Sequence, residues 1–366
     1  MGKRELLLIA AFAVLGVIAF EMTAAPVAGT RRRFTLSALR DTWRRDARGE
    51  TARATASHTG TFDAPASLSE LRLTGLSDVT VVGEPRQDIG YELTVTANAA
   101  DDPAAADIAE RTVLAQDDLG ATLLLRLNAP AQARQTAVAI FRVPARISVR
   151  IAGARKTSIT GVSAVNLDAA LGETTIRNIA GDVEGAHRNG PLLINDAGAV
   201  TLTLSSSTAT IVGVRGRSSV TLRNGQCRVT DAAGAVDADV TNGTLVVTNP
   251  AQSVIVAGSG GQVTIAGPRG DVKIDARRTS IDVSLTTAAA VTVLTSDAPL
   301  HIAMRADISA LLDAVASENG TIDASGFSLT PEVNGTESRL SHRLGDGAAR
   351  IALRNQRGPI VIRETK

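Results

Sequence analysis

Gly243-Thr-Leu-Val-Val-Thr-Asn-Pro-Ala251, Gly261-Gln-Val-Thr-Ile-Ala-Gly-Pro-Arg269 and Gly270-Asp-Val-Lys-Ile-Asp-Ala-Arg-Arg278 carry one pattern. Each nine-residue block opens on glycine, which lets the chain turn, and places apolar residues at its third and fifth positions. That alternation is the period of a strand with one buried face. From Gly198 to Thr287 the chain divides into such blocks without an insertion. Alternate blocks end differently. One corner type is Asn-Gly, at Asn189-Gly190, Asn224-Gly225 and Asn242-Gly243; the other runs through a looser stretch to Gly216, Gly234 or Gly270.

Two blocks therefore make one unit of about 18 residues, with two strands and two unlike corners. One column shows the period best: Ile176, Ile194, Ile211, Val229, Val247, Ile265, Val283 and Ile302, all β-branched. A single unit cannot bury its apolar side chains, whereas stacked units can, with like residues about 4.8 Å apart. The expected fold is all-β, a parallel β-solenoid (β-helix). Its right hand follows from the crossover preference of parallel strands.

Solenoid ends are open sheet edges and need covering. At the C-terminal end a capping helix is expected over Asp307 to Ser317, from Ile308, Leu311, Leu312 and Val315 at i, i+3, i+4 and i+7. Arg350 to Arg354 and Pro359 to Arg363 would follow as closing strands. At the other end, strands near Leu71, Val79, Tyr91 to Val95 and Thr122 to Leu127 would begin the stack. A helix at Pro103 to Val113, with Asp102 as N-cap, would interrupt them.

The N-terminus reads as a targeting segment. Lys3 and Arg4 precede an apolar run from Leu6 to Phe20. As a helix that run spans about 22 Å, short of a hydrocarbon core of roughly 30 Å, so signal peptide and membrane anchor are both open. Arg31, Arg32, Arg33 and Arg40 follow it and favour a cytoplasmic C-terminal side. Thr35 to Ala47 would form a short amphipathic helix or a basic linker, and Glu50 to Thr61 a spacer. The organisation is then 1–30 signal or anchor, 31–57 basic linker, 58–142 N-terminal β segment, 143–305 repeats, and 306–366 cap with closing strands.

The segments Ile179-Ala-Gly-Asp-Val-Glu, His187-Arg-Asn-Gly-Pro-Leu-Leu-Ile and Pro268-Arg-Gly-Asp-Val-Lys-Ile resemble a bacterial family. It is the "putative adhesin" family of uncharacterised β-solenoid domains behind an N-terminal membrane segment. Leu344-Gly-Asp-Gly-Ala-Ala-Arg-Ile-Ala-Leu followed by Gly358-Pro-Ile looks like its closing segment. The resemblance covers roughly residues 60 to 366. It implies an exported, membrane-held solenoid that binds a protein or surface ligand, and it implies no catalytic set.

Composition narrows the function. Lys+Arg is 38 against 37 Asp+Glu, a net charge of +1, so no chain-wide basic field awaits nucleic acid. Cys227 is the lone cysteine, which excludes an intramolecular disulfide. It falls in an inward column between Ala209 and Leu245, as a core thiol. His58, His187, His301 and His342 lack partners at ligand spacing, and His187 and His301 read as corner or outward residues. Asp237 and Asp239 face one way, but their neighbours one unit on are Ile255 and Ala257. Asp275 returns to the Asp239 column two units away, roughly 10 Å, so only a stretched inverting pair would be available to a polysaccharide-active enzyme. Arg188, Arg223 and Arg277 share a column but never adjacent units. No aromatic residue lies between Val143 and Arg305, which removes the stacking platforms of glycan and single-strand grooves. No catalytic, cofactor or metal residues are assigned, and no cofactor is expected. The leading reading is a non-enzymatic envelope module. Beside it stand a polysaccharide-active β-helix enzyme and a scaffold that self-assembles through solenoid ends or edges.

Overall fold

The computed structural model describes residues 52–130 and 134–365. The targeting segment and the Thr35 to Ala47 helix lie outside the described residues. No helix among the described residues is long and apolar enough to cross a membrane. The chain is all-β, and its described strands join one large, mostly parallel sheet.

The N-terminal part contains β1 (Ala52–Asp63), β2 (Glu70–Thr74), β3 (Asp78–Glu84), β4 (Asp88–Ala99), α1 (Asp102–Arg111), β5 (Val113–Asp118), β6 (Thr122–Asn128) and β7 (Arg134–Pro144). The spacer expected at Glu50 to Thr61 is corrected over its described residues: from Ala52 to Asp63 the chain is β1, twelve residues whose side chains alternate between two faces. Helix α1 forms where the sequence places it, but its N-cap is Asp101, whose side chain accepts from the Ala104 amide at 2.8 Å.

The middle strands stack in two walls. β8 (Ser148–Ala152), β10 (Val165–Leu171), β12 (Val183–Arg188), β14 (Val200–Ser205) and β16 (Ser218–Arg223) form the first. β9 (Lys156–Thr160), β11 (Glu173–Arg177), β13 (Pro191–Ala197), β15 (Thr208–Val214) and β17 (Gln226–Thr230) form the second. β18 (Val236–Thr248), β19 (Val254–Ala266) and β20 (Val272–Leu285) each run through both walls. Each unit pairs in parallel with the next at the offset seen in the sequence.

The β-branched column is confirmed residue by residue from Ile176 to Ile302. It extends to Ile159, Val81 and Phe141 at one end and to Ile362 at the other. Every member is buried. Full burial of one such side chain is worth about 1.5–3 kcal/mol, so this ladder is a main source of stability.

The corners form two further ladders. Gly172, Asn189, Ser206, Asn224, Asn242, Gly260, Arg278 and Asp297 all have positive φ at the first corner. Gly161, Asn178, Asp196, Gly213, Asp231, Asn249 and Gly267 do so at the second. Asn, Asp and Gly tolerate that left-handed conformation best, which explains their recurrence. Gly213, Asp231 and Gly267 of the second ladder lie within the stretches that lead to Gly216, Gly234 and Gly270.

Both ends depart from chain order. In the first wall β2 sits between β6 and β8; in the second, β3 sits between β7 and β9. The outermost N-terminal unit is therefore β6 with β7, not β2 with β3. β5 pairs antiparallel with β6, β4 with β7, and β1 with β4.

The C-terminal part contains β21 (Val291–Ser296), β22 (Leu300–Arg305), β23 (Ala310–Ser317), β24 (Ile322–Asp323), β25 (Glu332–Asn334), β26 (Glu337–Leu344), β27 (Ala349–Gln356) and β28 (Ile360–Thr365). The capping helix expected at Asp307 to Ser317 is corrected to β23. Ala310, Leu312, Ala314 and Ala316 alternate into the core, so a strand buries apolar side chains here as a helix would. Parallel β27 on one edge and antiparallel β26 on the other decide the outcome. The closing strands are also relocated: β27 and β28 lie between β21 with β22 and β23 with β24. Arg357 ties this end, donating to Asp297 at 2.6 and 3.1 Å and to Glu318 at 2.7 Å. Arg357 accordingly holds the Asp297 carboxyl below its ordinary range.

Candidate functional site

The outward face of the first wall carries a concavity. Register stacks Arg150, Asn166, Glu184, Thr201 and Ser219 in one column. Thr203 and Thr221 form part of the next. Between Leu167 and Ala170 β10 has a bulge, with Ala169 at φ 53. An extra residue bends a strand and re-aims its side chains, here Asp168. Opposite the bulge is Gly185, at φ 123, where an added Cβ would lie 2.1 Å from the Leu167 carbonyl oxygen. Only glycine fits so close to a neighbouring strand. The result is an open groove of about 520 Å³, lined by Arg150, Asn166, Asp168, Glu184, Thr201 and Thr203 among others.

Its chemistry is that of hydrogen bonding. Amide, hydroxyl and carboxylate groups alternate along stacked strands, and Arg150 supplies a cation 3.4 Å from Glu70. Such an array can hold a polar ligand by its donors and acceptors.

Residues singled out in the sequence are dispersed. Asp237 and Asp239 lie beside Ile255 and Ala257, and Asp275 beside Ala257, as the repeat requires. Asp237 is engaged by Arg217 at 2.6 Å, a partner the sequence reading did not identify. In their column Arg188 and Arg223 are separated by Ser205, and Arg223 and Arg277 by Thr241 and Ser259. Cys227 is buried between Ala209 and Leu245, and burial pushes its thiol up to about 12. That is the setting of an unreactive core thiol. Among the described residues no group of three His, Cys, Asp or Glu side chains could hold a metal ion.

The histidines have unlike environments. His58 approaches the Ala109 carbonyl oxygen at 3.5 Å, and His342 is exposed on β26. His301 lies on the outer face of the second wall, with its Nδ1 2.8 Å from Asp282 Oδ1. His187 corrects the expectation of a corner or outward residue, because it is fully buried. It occupies the inward column of Ala170, Leu204 and Leu222. That column was legible: His187 is one repeat before Leu204.

Corner groups satisfy the buried ring. Nε2 lies 3.0 Å from the Gly172 carbonyl oxygen, and Nδ1 lies 2.9 Å from Ser207 Oγ. The carbonyl can only accept, so Nε2 carries the proton, while the single Ser207 hydroxyl proton is shared among Nδ1 and the His187 and Ser205 carbonyl oxygens, each 3.1 Å away. Burial lowers the pKa of His187, with the Gly172 carbonyl opposing in part. The unfolded chain therefore binds a proton near pH 6.5 that the folded chain refuses until lower pH. Stability from this group is complete above about pH 6.5 and is lost as pH falls toward the folded value. His187→Gln is expected to flatten the decline in urea midpoint between pH 7 and 5. At neutral pH it should cost roughly 1–3 kcal/mol through the lost hydrogen bonds. An unchanged acid slope in the variant would contradict this role.

No protein-family model matches the chain, and no curated protein matches it. Several solved structures are similar to it, among them three of bacterial origin. One is a putative cell adhesion protein from Clostridium sporogenes, 11% identical over 85% of this chain and 100% of the other, with a TM-score of 0.20. A second is a putative lipid binding protein from Parabacteroides distasonis, 13% identical over 63% and 98%, with a TM-score of 0.37. The third is a putative adhesin from Parabacteroides merdae, 10% identical over 86% and 97%, with a TM-score of 0.33.

Proposed function

We propose that this chain is a non-enzymatic cell-envelope module. Its stacked units are read as a right-handed parallel β-solenoid, held at the membrane by the N-terminal segment, whose outer walls bind a polar surface ligand or protein. One observation carries the reading: the groove of about 520 Å³ on the first wall offers hydrogen-bonding side chains on rigid strands. Rigid strands suit recognition, because little conformational entropy is lost when a ligand is bound. The N-terminal apolar run and the adhesin resemblance support the placement outside the cytoplasmic membrane.

Fusing a periplasm-dependent enzymatic reporter to the C-terminus of the full chain tests the placement. Activity in intact cells is expected, and a stable but inactive fusion would overturn an envelope role. Incubating the purified full chain with acidic and neutral polysaccharides tests the absence of catalysis. Intact polymers are expected, whereas cleavage that disappears in Asp239→Asn would make the protein an enzyme.

A further inference from the structure

Strand β1 presents a long edge at the N-terminal end. It pairs with β4 without a bulge from Ala52 opposite Ala99 to Asp63 opposite Asp88. Among the described residues its other edge pairs with nothing. Edge strands are commonly blunted by bulges, proline, inward charge or brevity. β1 is twelve residues long and has no proline and no lysine. The other N-terminal edge, β5, is half that length and carries the adjacent acids Asp117 and Asp118. At the far end β25 covers part of β26.

The sequence of β1 is complementary to itself. Its odd-numbered residues, Arg53, Thr55, Ser57, Thr59, Thr61 and Asp63, are the exposed ones. Arg53 and Asp63 are the only Arg, Lys, Asp or Glu of β1, they stand near opposite ends, and neither forms a salt bridge among the described residues. If a second β1 runs antiparallel to the first about a two-fold axis through His58, residues whose numbers sum to 116 face each other. Arg53 then faces Asp63 twice, Thr55 faces Thr61, and Ser57 faces Thr59. Directly opposed residues share a face, so each arginine meets an aspartate rather than another arginine. Other two-fold registers pull both of these pairs out of alignment.

We infer that β1 is the contact through which two copies of this chain associate, by antiparallel strand addition centred on His58. An isologous contact uses the same patch on both subunits and closes on itself, so it yields a dimer and not a filament. Backbone hydrogen bonds would supply adhesion, and the two Arg53–Asp63 pairs would fix the register. The inference stands independently of the ligand-binding reading above.

Two differently tagged full-length chains, one carrying Ser57→Cys and the other Thr59→Cys, should be co-expressed and oxidised. Directly opposed Cα atoms lie about 4.5–5.5 Å apart, within disulfide reach. A mixed disulfide is expected, and pairing Ser57→Cys with Thr61→Cys should give about fivefold less, because diagonal neighbours are roughly 7–8 Å apart. Native Cys227 is buried and does not compete. Arg53→Asp or Asp63→Arg alone should lower the mixed-disulfide yield several-fold, and Arg53→Asp/Asp63→Arg together should restore it. All these positions are exposed, so folding is preserved. Equal yield in both registers would overturn the inference, as would failure of the charge swap to restore it. So would a monomer by sedimentation whose β1 amides are protected from exchange, since the edge would then be covered by the chain's own upstream residues.

Discussion

Replacing Gly261 by alanine is expected to destabilise the protein by about 3 kcal/mol or more, a large effect for one methyl group. Gly261 has φ 99, and an added Cβ would sit 2.0 Å from the Gly243 carbonyl oxygen of the neighbouring unit. Two costs combine there, backbone strain and a collision with main chain that is itself held in the sheet. A control separates them. Gly335 has φ 60 and open space where its Cβ would be, so Gly335→Ala should cost only the strain, about 1–2 kcal/mol. Urea midpoints of the two variants test the difference. Equal losses would mean that close stacking at the Asn-Gly corner does not constrain the sequence.

Ile211→Ala should rank beside it, at roughly 2–5 kcal/mol, against about 0.5–1.5 for Ile211→Val. Ile211 is fully buried between Ile194 and Val229, and the stacked neighbours above and below cannot close a cavity without shifting their own strands. The loss should also be local. In a stack each unit contacts only those beside it, so stability is a sum of nearest-neighbour contributions. Hydrogen exchange should accelerate first in β13, β15 and β17, while β21, β22, β27 and β28 retain protection. Uniform acceleration across the whole chain would show a single cooperative unit instead.

The candidate site was far less legible than the core. Thr201, Ser219, Asp237 and Asp239 could be placed on one outward face from spacing alone. The concavity depends on the β10 bulge, which adds a residue to one unit and breaks the spacing that made the rest readable. Gly185 gives a signal only once Leu167 is known to lie against it. Arg217 reaches Asp237 from a corner, and no periodic rule announces such a contact. His187 departs from expectation for a different reason. Its polarity suggested the surface, although its position marked an inward column, and in the structure the column prevails because Ser207 and Gly172 satisfy the ring.

Throughout the regular region, residue spacing alone specifies which side chains face inward and which units stack. Alternation fixes the buried face of each strand locally, and an 18-residue spacing leaves each strand one obvious neighbour. At the ends that information fails. β2 pairs with β6 and β8, and β27 enters between β21 and β23, over irregular separations that no repeat encodes. Ile308, Leu311, Leu312 and Val315 fit a helix, while Ala310, Leu312, Ala314 and Ala316 fit a strand equally well. Local pattern cannot choose between two periods that bury similar surface. Long-range pairing makes the choice, because the hydrogen bonds that β26 and β27 offer along both edges of β23 exist once those distant strands are in place.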